Sequence, residues 1–389
     1  MHEGQSVGDR IRDVRKRRGL TQRELADLSS VSLSLIRKLE QAERDDVRLE
    51  TLRKLATALR VPTTVLIARP DTDTADPQTI ESWEPVRRAL FAPADQPDEP
   101  ATTEGVLAAL TDIRPALAAN RYTEVRQILP AMLRDSDALN GHTRHARTRV
   151  LNLVGWLLVQ TRQWDPAEAA LNLAIDAADD RLDAAAAANT LCWSLLRQGR
   201  LAEARDLATK WADDIEPRFS RATTAELAIW GRLMLGITNA AIRDARPGEA
   251  DDALKLATAA AGRIGRETAA DASTTRTFGP VTVAMIKAEN AAITGQPDKV
   301  LTLARAIPPN ALHPASASRC RHRLDVAHAL AQTRQYPAAI TTIQQLRADS
   351  PEWLTQQRYA RDILTHIISR RRTLSNEMRE LADFMHIAL

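Results

Sequence analysis

Apolar residues recur along this chain at three- and four-residue steps, the period of an amphipathic helix, and the runs come in short and long forms. The short ones lie at the start. Val7, Ile11 and Val14 mark a first helix, which Gly19 ends as glycine does just past a helix C-terminus. Thr21 then offers an N-cap with Glu24 three residues on, the capping-box pattern, and Leu25, Ala26 and Leu28 form a second apolar face. Ser32 caps a third helix with Ile36 and Leu39 inward. Leu52, Leu55, Ala56 and Leu59 mark a fourth, and Pro62 sits at the first turn of a fifth. Five short helices within residues 1–68 predict a compact bundle, a head.

Residues 69–103 break the pattern. Proline and acidic residues dominate, and periodicity persists only as a turn around Trp83–Leu90, so the segment reads as a partly extended linker with Trp83 or Phe91 docking on a neighbour. From 104 to 389 one motif returns. NRYTEVRQIL, RQWDPAEAAL, GRLAEARDLA, ARPGEADDAL, GQPDKVLTLA and RQYPAAITTI align on Tyr122, Trp164, Leu201, Pro247, Pro297 and Tyr336, at intervals of 42, 37, 46, 50 and 39 residues. Each follows one helix-length apolar pattern and opens another, which predicts an array of antiparallel helix pairs with loops of uneven length. The expected fold class is all-α: a five-helix head followed by an α-solenoid body.

Composition supports this and adds a charge asymmetry. Aromatic residues make up only 4% of the chain, and strand-favouring runs are scarce. No apolar run approaches the roughly 20 residues of a membrane span, and MHEGQSVGDR lacks a signal-peptide core, so a cytoplasmic protein away from membranes is expected. Cys192 and Cys320 fall far apart in helical patterns and read as buried thiols. The formal charge is +3, yet residues 1–66 carry 14 Lys/Arg against 10 Asp/Glu, which leaves the remainder near −1. A basic head on a neutral body suits nucleic-acid binding.

At this point the head's residues carry a resemblance. GLTQRELA, VSLSLIRKLE and LETLRKLATALRVP, within residues 7–67, resemble the Cro/C1-type (XRE) helix-turn-helix family. The resemblance implies DNA binding, with the third helix in the major groove. It assigns Gln22 to a phosphate at the start of helix two, Arg15 and Glu40 to an ion pair joining helices one and three, and Arg48 to the DNA backbone or minor groove. Outward on helix three, with the cap residue Ser32, stand Leu33, Ser34, Arg37 and Lys38. Leu33 suits a thymine methyl, Ser34 a base edge, and Lys38 guanine or phosphate. Packing in the head's own core is the alternative for Leu33 and for Leu35. Ser30 occupies a turn position where the family usually has glycine, which is strained if the backbone there is left-handed.

The body resembles the tetratricopeptide repeat in degenerate form: Gly155, Ala167 and Leu171 fall where that repeat places its packing glycine and second-helix apolar residues, and Ala204, Ala250 and Ala339 repeat the alanine. First helices of such pairs line a concave face. Counting back from the turns puts Asn152 and Trp156 on that face in one unit, and Asn189 and Trp193 in the next. Asn239, Glu289 and His328 follow at later equivalents of the tryptophan position, with Arg149, Arg232 and Arg321 one turn further back. Amides that pair with a peptide backbone, beside indoles offering apolar area, suit an effector; inter-repeat packing of the same residues is the alternative. A head and body of this kind resemble the peptide-responsive quorum-sensing regulators of Gram-positive bacteria and the regulators with a helix-turn-helix and repeats common in actinobacteria. These resemblances imply a transcription regulator, usually a homodimer on an inverted-repeat operator in double-stranded DNA, controlled by a small molecule or peptide. A DNA-tethered adaptor holding a partner protein is the second reading. Sequence motifs for phosphate-cradling glycine loops, HExxH zinc sites, nucleophile elbows and CxxC pairs are absent, and His142 with His145 lacks a nearby acidic or cysteine partner. Neither catalysis nor a metal or cofactor is expected.

Overall fold

The computed structural model of the chain describes residues 7–41, 47, 49–59, 61, 63, 66, 75, 77–91, 100–139, 144–371 and 373–387. In the head, α1 (Val7–Arg17), α2 (Gln22–Ser29), α3 (Leu33–Glu40) and α4 (Leu49–Leu59) form where the apolar spacing puts them. The Thr21 hydroxyl accepts from the Glu24 N–H while Glu24 accepts from the Thr21 N–H, which closes the capping box, and Ser32 caps α3 through the Leu35 N–H. Ile11, Leu25, Ile36, Leu55 and Leu59 are wholly enclosed. α1 approaches α3 so closely that a β-carbon on Gly8 would lie 1.7 Å from the Leu39 carbonyl oxygen. Ser30 is left-handed, at φ 55°. The expected fifth helix opens at Pro62, outside the described residues.

Part of the stretch expected as linker is helical. α5 (Pro77–Ser82) and α6 (Glu84–Phe91) bury Trp83, Val86 and Leu90 in the body's core, while Phe91 stays 60% exposed. Trp83, Val86 and Leu90 fall at i, i+3 and i+7, a real but short helical stripe that the surrounding prolines and acids obscure.

The body continues with α7 (Thr103–Asp112), α8 (Arg114–Ala118) and α9 (Tyr122–Ala138). Antiparallel pairs follow: α10 (Arg144–Gln160) with α11 (Trp164–Ala177), α12 (Arg181–Arg197) with α13 (Leu201–Asp214), and α14 (Thr224–Arg243) with α15 (Pro247–Ile264). Then come α16 (Pro280–Ile293) with α17 (Pro297–Arg305) and α18 (Ala317–Gln332) with α19 (Tyr336–Asp349), before α20 (Pro351–Thr355), α21 (Arg358–Ile368) and α22 (Asn376–Phe384).

All six aligned motifs are one backbone device. The residue two before each anchor is left-handed: Asn120, Arg162, Gly199, Ala245, Gly295 and Arg334, at φ 53° to 79°. The next N–H then returns to a carbonyl five residues back, as in Gln163 to Leu158 at 2.9 Å, Arg246 to Ala241 at 2.9 Å and Gln335 to Leu330 at 2.8 Å. This is the Schellman helix ending. Four of the six carry a side chain through a conformation that disfavours one. Gly155 is the packing glycine expected: a β-carbon there would meet Leu171 Cγ at 2.5 Å.

Two features have no local signature in the sequence. The solenoid closes on itself: Asn120 Nδ2 donates to the Ala315 carbonyl and to Ser350 Oγ, Thr123 donates from N and Oγ1 to Glu352, and one apolar cluster joins α6–α11 to α18–α22. Between α15 and α16, a small hairpin pairs β1 (Thr268–Ala269) with β2 (Thr277–Phe278). Its Phe278 ring lies on Gly231, and its tip reaches across to Asn152 and Arg114. Among the described residues, no helix is long and apolar enough to cross a membrane.

Candidate functional sites: a DNA-reading helix and an arginine-lined cavity

Helix α3, the one expected to read DNA, is held by its last residue. Arg15 donates from Nε and Nη2 to the two carboxylate oxygens of Glu40, both at 2.7 Å, and Gln22 Nε2 donates to Glu40 Oε2 at 2.8 Å. Arg12 donates to the Glu40 backbone carbonyl. Burial alone would push the Glu40 carboxyl up, but Arg15 and Gln22 outweigh it and hold it below its ordinary value. With the helix fixed at that end, Ser34, Arg37 and Lys38 stand exposed on its outer side, while Leu33 is half-buried. Leu35 packs against the head's core; Leu33 is not part of that cluster. Arg48 lies outside the described residues.

The second site is the centre of the closed body. Here α10, α12, α14, α16, α18 and the start of α21 surround a cavity of about 360 Å³, within the range of pockets that hold compact organic ligands. Seven arginines and two carboxylates line it among the described residues. The charges divide. On one side Arg243 donates to Glu289 at 2.5 Å, with Arg321 3.6 Å from both Glu289 and Asp325. Burial opposes ionisation of Glu289, but Arg243 and Arg321 hold it below its usual range. Asp325, buried and beside the Glu289 charge, is pushed up to about 7 despite Arg321. Burial brings His322 down to about 4, keeping it neutral, and raises the Cys192 thiol to about 12, which keeps it inert.

On the other side stand Arg232 and Arg276. Arg232 makes a single long bond, 3.5 Å, to the Thr277 carbonyl, and its Nε is enclosed without a partner. Arg276 lies over the Trp193 ring at 5.8 Å, with its Nη1 likewise unpartnered. Burial lowers Arg232 to about 10; burial and then the Arg232 charge lower Arg276 further below the usual guanidinium value.

Residues 11–66 match the family model described as Helix-turn-helix. This segment is a helix-turn-helix DNA-binding domain. Comparison with curated proteins finds no match. Among solved structures the chain is similar to Bacillus thuringiensis PlcR, crystallised in complex with the peptide PapR7 and DNA. That similarity spans 77% of this chain and 95% of that one, at 14% identity and a TM-score of 0.35.

Of the residues expected at the effector site, Trp156, Asn189, Trp193, Arg232, Asn239 and Glu289 do line the cavity. Asn152 and His328 do not. Asn152 is 1% exposed and donates to Ser273 Oγ of the hairpin at 2.7 Å. His328 lies against the Tyr359 ring, 5.4 Å between centres. The helical register places both on the concave side, but the hairpin and the closing helix α21 cover them there. Trp156 serves two roles, meeting Tyr122 edge-on in the core while bordering the cavity. Arg243 and Asp325 were legible in principle, one helical turn beyond Asn239 and Arg321. Arg276 sits in a loop without periodicity and had no signal.

Proposed function

We propose that this DNA-binding protein is a transcriptional regulator, dimeric on an inverted-repeat operator, whose grip on DNA is set by a compact ligand in the central cavity. The observation that carries this reading is the seat of the head on the body. Arg53, in α4, donates from Nη1 to the Ile293 carbonyl and from Nη2 to the Ile242 carbonyl, each at 2.9 Å. Those carbonyls end α16 and α14, where the negative ends of two helix dipoles attract a cation. Immediately beside them, Arg243 and Glu289 line the cavity and pair with each other. Glu50, also in α4, lies against the Gly295 turn. A ligand that redistributes the Arg243–Glu289 pair therefore shifts the two helix ends on which the head rests.

Dimerisation follows from how little one third helix reads. A single helix covers too few base pairs for genomic specificity, so two heads about 34 Å apart, or a multiple of it, are needed. Footprinting with sedimentation tests that; a monomer protecting one half-site would contradict it. Control through the seat is tested with Arg53→Ala. Amide exchange in 49–59 should quicken, and operator affinity of the ligand-free protein should change severalfold. Faster exchange with unchanged affinity would remove docking from the control of DNA binding. A polypeptide rather than a small mass retained on the purified protein would favour the adaptor reading.

A further inference from the structure

We infer that the cavity takes an organic anion whose acidic group, a carboxylate or a phosphate, seats between Arg232 and Arg276 with its apolar part along Trp193. The inference rests on the cavity being the effector site and specifies the chemistry of what enters. Arg243 and Arg321 have Glu289 and Asp325 beside them, but neither Arg232 nor Arg276 has a carboxylate within ion-pair distance among the described residues. The acids nearest to them are already committed. Asp271 accepts four hydrogen bonds, from the N–H and hydroxyl of both Ser273 and Thr274, at 2.7 to 2.9 Å. Glu267 accepts from the Val281 and Thr282 N–H groups and from the Thr282 hydroxyl and caps the start of α16, so it and Asp271 act on Arg232 through space without pairing with it.

A partly buried cation with no carboxylate at contact distance is costly, and two that repel one another more so. The chain nevertheless holds both at the edge of one space. The Trp193 ring accepts the face of Arg276 and bounds the same space, and Asn239 Oδ1 is enclosed nearby without a donor. An oxyanion between the two guanidinium groups supplies the contact partner that both lack and accepts charge-assisted hydrogen bonds from both. An aromatic or aliphatic remainder covers the indole, and a hydroxyl or N–H on it can satisfy Asn239. The cavity volume suits a molecule of this size better than an extended chain crossing every repeat.

The test uses the full chain and three probes with one ring system: 1-naphthaleneacetate, the neutral 1-naphthaleneacetamide and 1-naphthyl phosphate. Binding is followed by calorimetry at fixed ionic strength and by quenching of tryptophan emission. Hydrogen bonds to charged groups are worth enough that the acid should bind at least about tenfold more tightly than the amide. The preferred oxyanion, carboxylate or phosphate, is read from the order of the two acids. In Arg232→Met and Arg276→Met the preference for acid should fall to near one. Without ligand, both variants should melt no lower than the parent, because each loses a partly desolvated cation that Asp271 offsets only through space. Equal binding of acid and amide, a preference that survives both substitutions, or a clearly lower melting temperature in the variants would each overturn the inference. Anion preference with operator affinity unchanged on binding would leave this site standing and remove the control reading instead.

Discussion

Glu40→Ala offers the sharpest test of how α3, the proposed reading helix, is positioned. The carboxylate is 3% exposed and accepts from Arg15 at 2.7 Å twice and from Gln22 at 2.8 Å. Removing it strands Arg15, itself 9% exposed, with only the Leu20 carbonyl as a hydrogen-bond acceptor among the described residues. Breaking a buried pair from one side costs about 3–5 kcal/mol, because the remaining charge stays desolvated. A surface bridge would be worth about 1 kcal/mol or less. For a domain as small as the head, each kcal/mol moves the melting temperature by about 4–8 °C, so a drop of more than about 12 °C is expected. The chain provides its own internal control: all seven tryptophans lie at position 83 or later, so their fluorescence follows the body and is blind to the head. Amide exchange over 7–40 should accelerate in the variant while the tryptophan transition stays in place. The pH dependence has a fixed sign. Glu40 is held below its ordinary value, so its contribution is full above about pH 4.3 and disappears as pH falls through the lower folded value. If DNA affinity falls while exchange over 7–40 is unchanged, the pair serves the interface and the structural assignment is wrong.

Arg37→Ala and Lys38→Ala should each lower operator affinity by about 5–150-fold, the worth of a base contact. Neither should alter either melting transition, since both side chains are exposed, and a change in melting would place them in the fold. Ala245→Gly should stabilise the body by up to about 1 kcal/mol, relief of a left-handed alanine at φ 58° being partly offset by the entropy of glycine; chemical denaturation followed by tryptophan fluorescence measures it, and destabilisation would contradict the turn assignment. Burial lowers both His322 and His328 to about 4, so these residues withdraw stability from the body as pH falls from about 6.5 toward 4. Asp325, raised to about 7, acts in the opposite direction over the same window. The tryptophan transition should therefore drop on acidification to pH 5 in the parent and rise in a His322→Gln, His328→Gln double variant; the same fall in both would exclude the histidines as its source.

What the sequence made legible was what is local. The head's caps, its inward residues other than Leu28 (read onto the apolar face of the second helix but 61% exposed, with Leu25 and Ser29 turned inward instead) and the Arg15–Glu40 pair follow from spacing within a few turns and from a family pattern of fixed length. The six repeat turns were legible because the left-handed ending of each first helix confines where the next can begin, even with four of six positions lacking glycine. Ring closure was not legible, because Asn120 meets Ala315 and Ser350 across some two hundred residues and none of the three advertises the contact. That closure turned an open concave face into an enclosed space. It also decided which candidate residues remain available: Asn189 and Trp193 still face the space, while Asn152 is taken by Ser273 of a hairpin too short and too polar to be read as strand. The unpaired arginines became visible only with the hairpin in place, since Arg276 approaches Trp193 through it.

The most direct test of the account compares one protein with itself. The chain purified from its host is titrated onto its operator as isolated, and again after the bound small molecule has been removed and the protein refolded. Couplings between two sites in one protein usually amount to about 5–150-fold in affinity. A change of that size is expected in the parent chain, restored when the removed fraction is added back and reduced to near one in Arg53→Ala. Identical operator affinity with the cavity filled and empty would contradict the account.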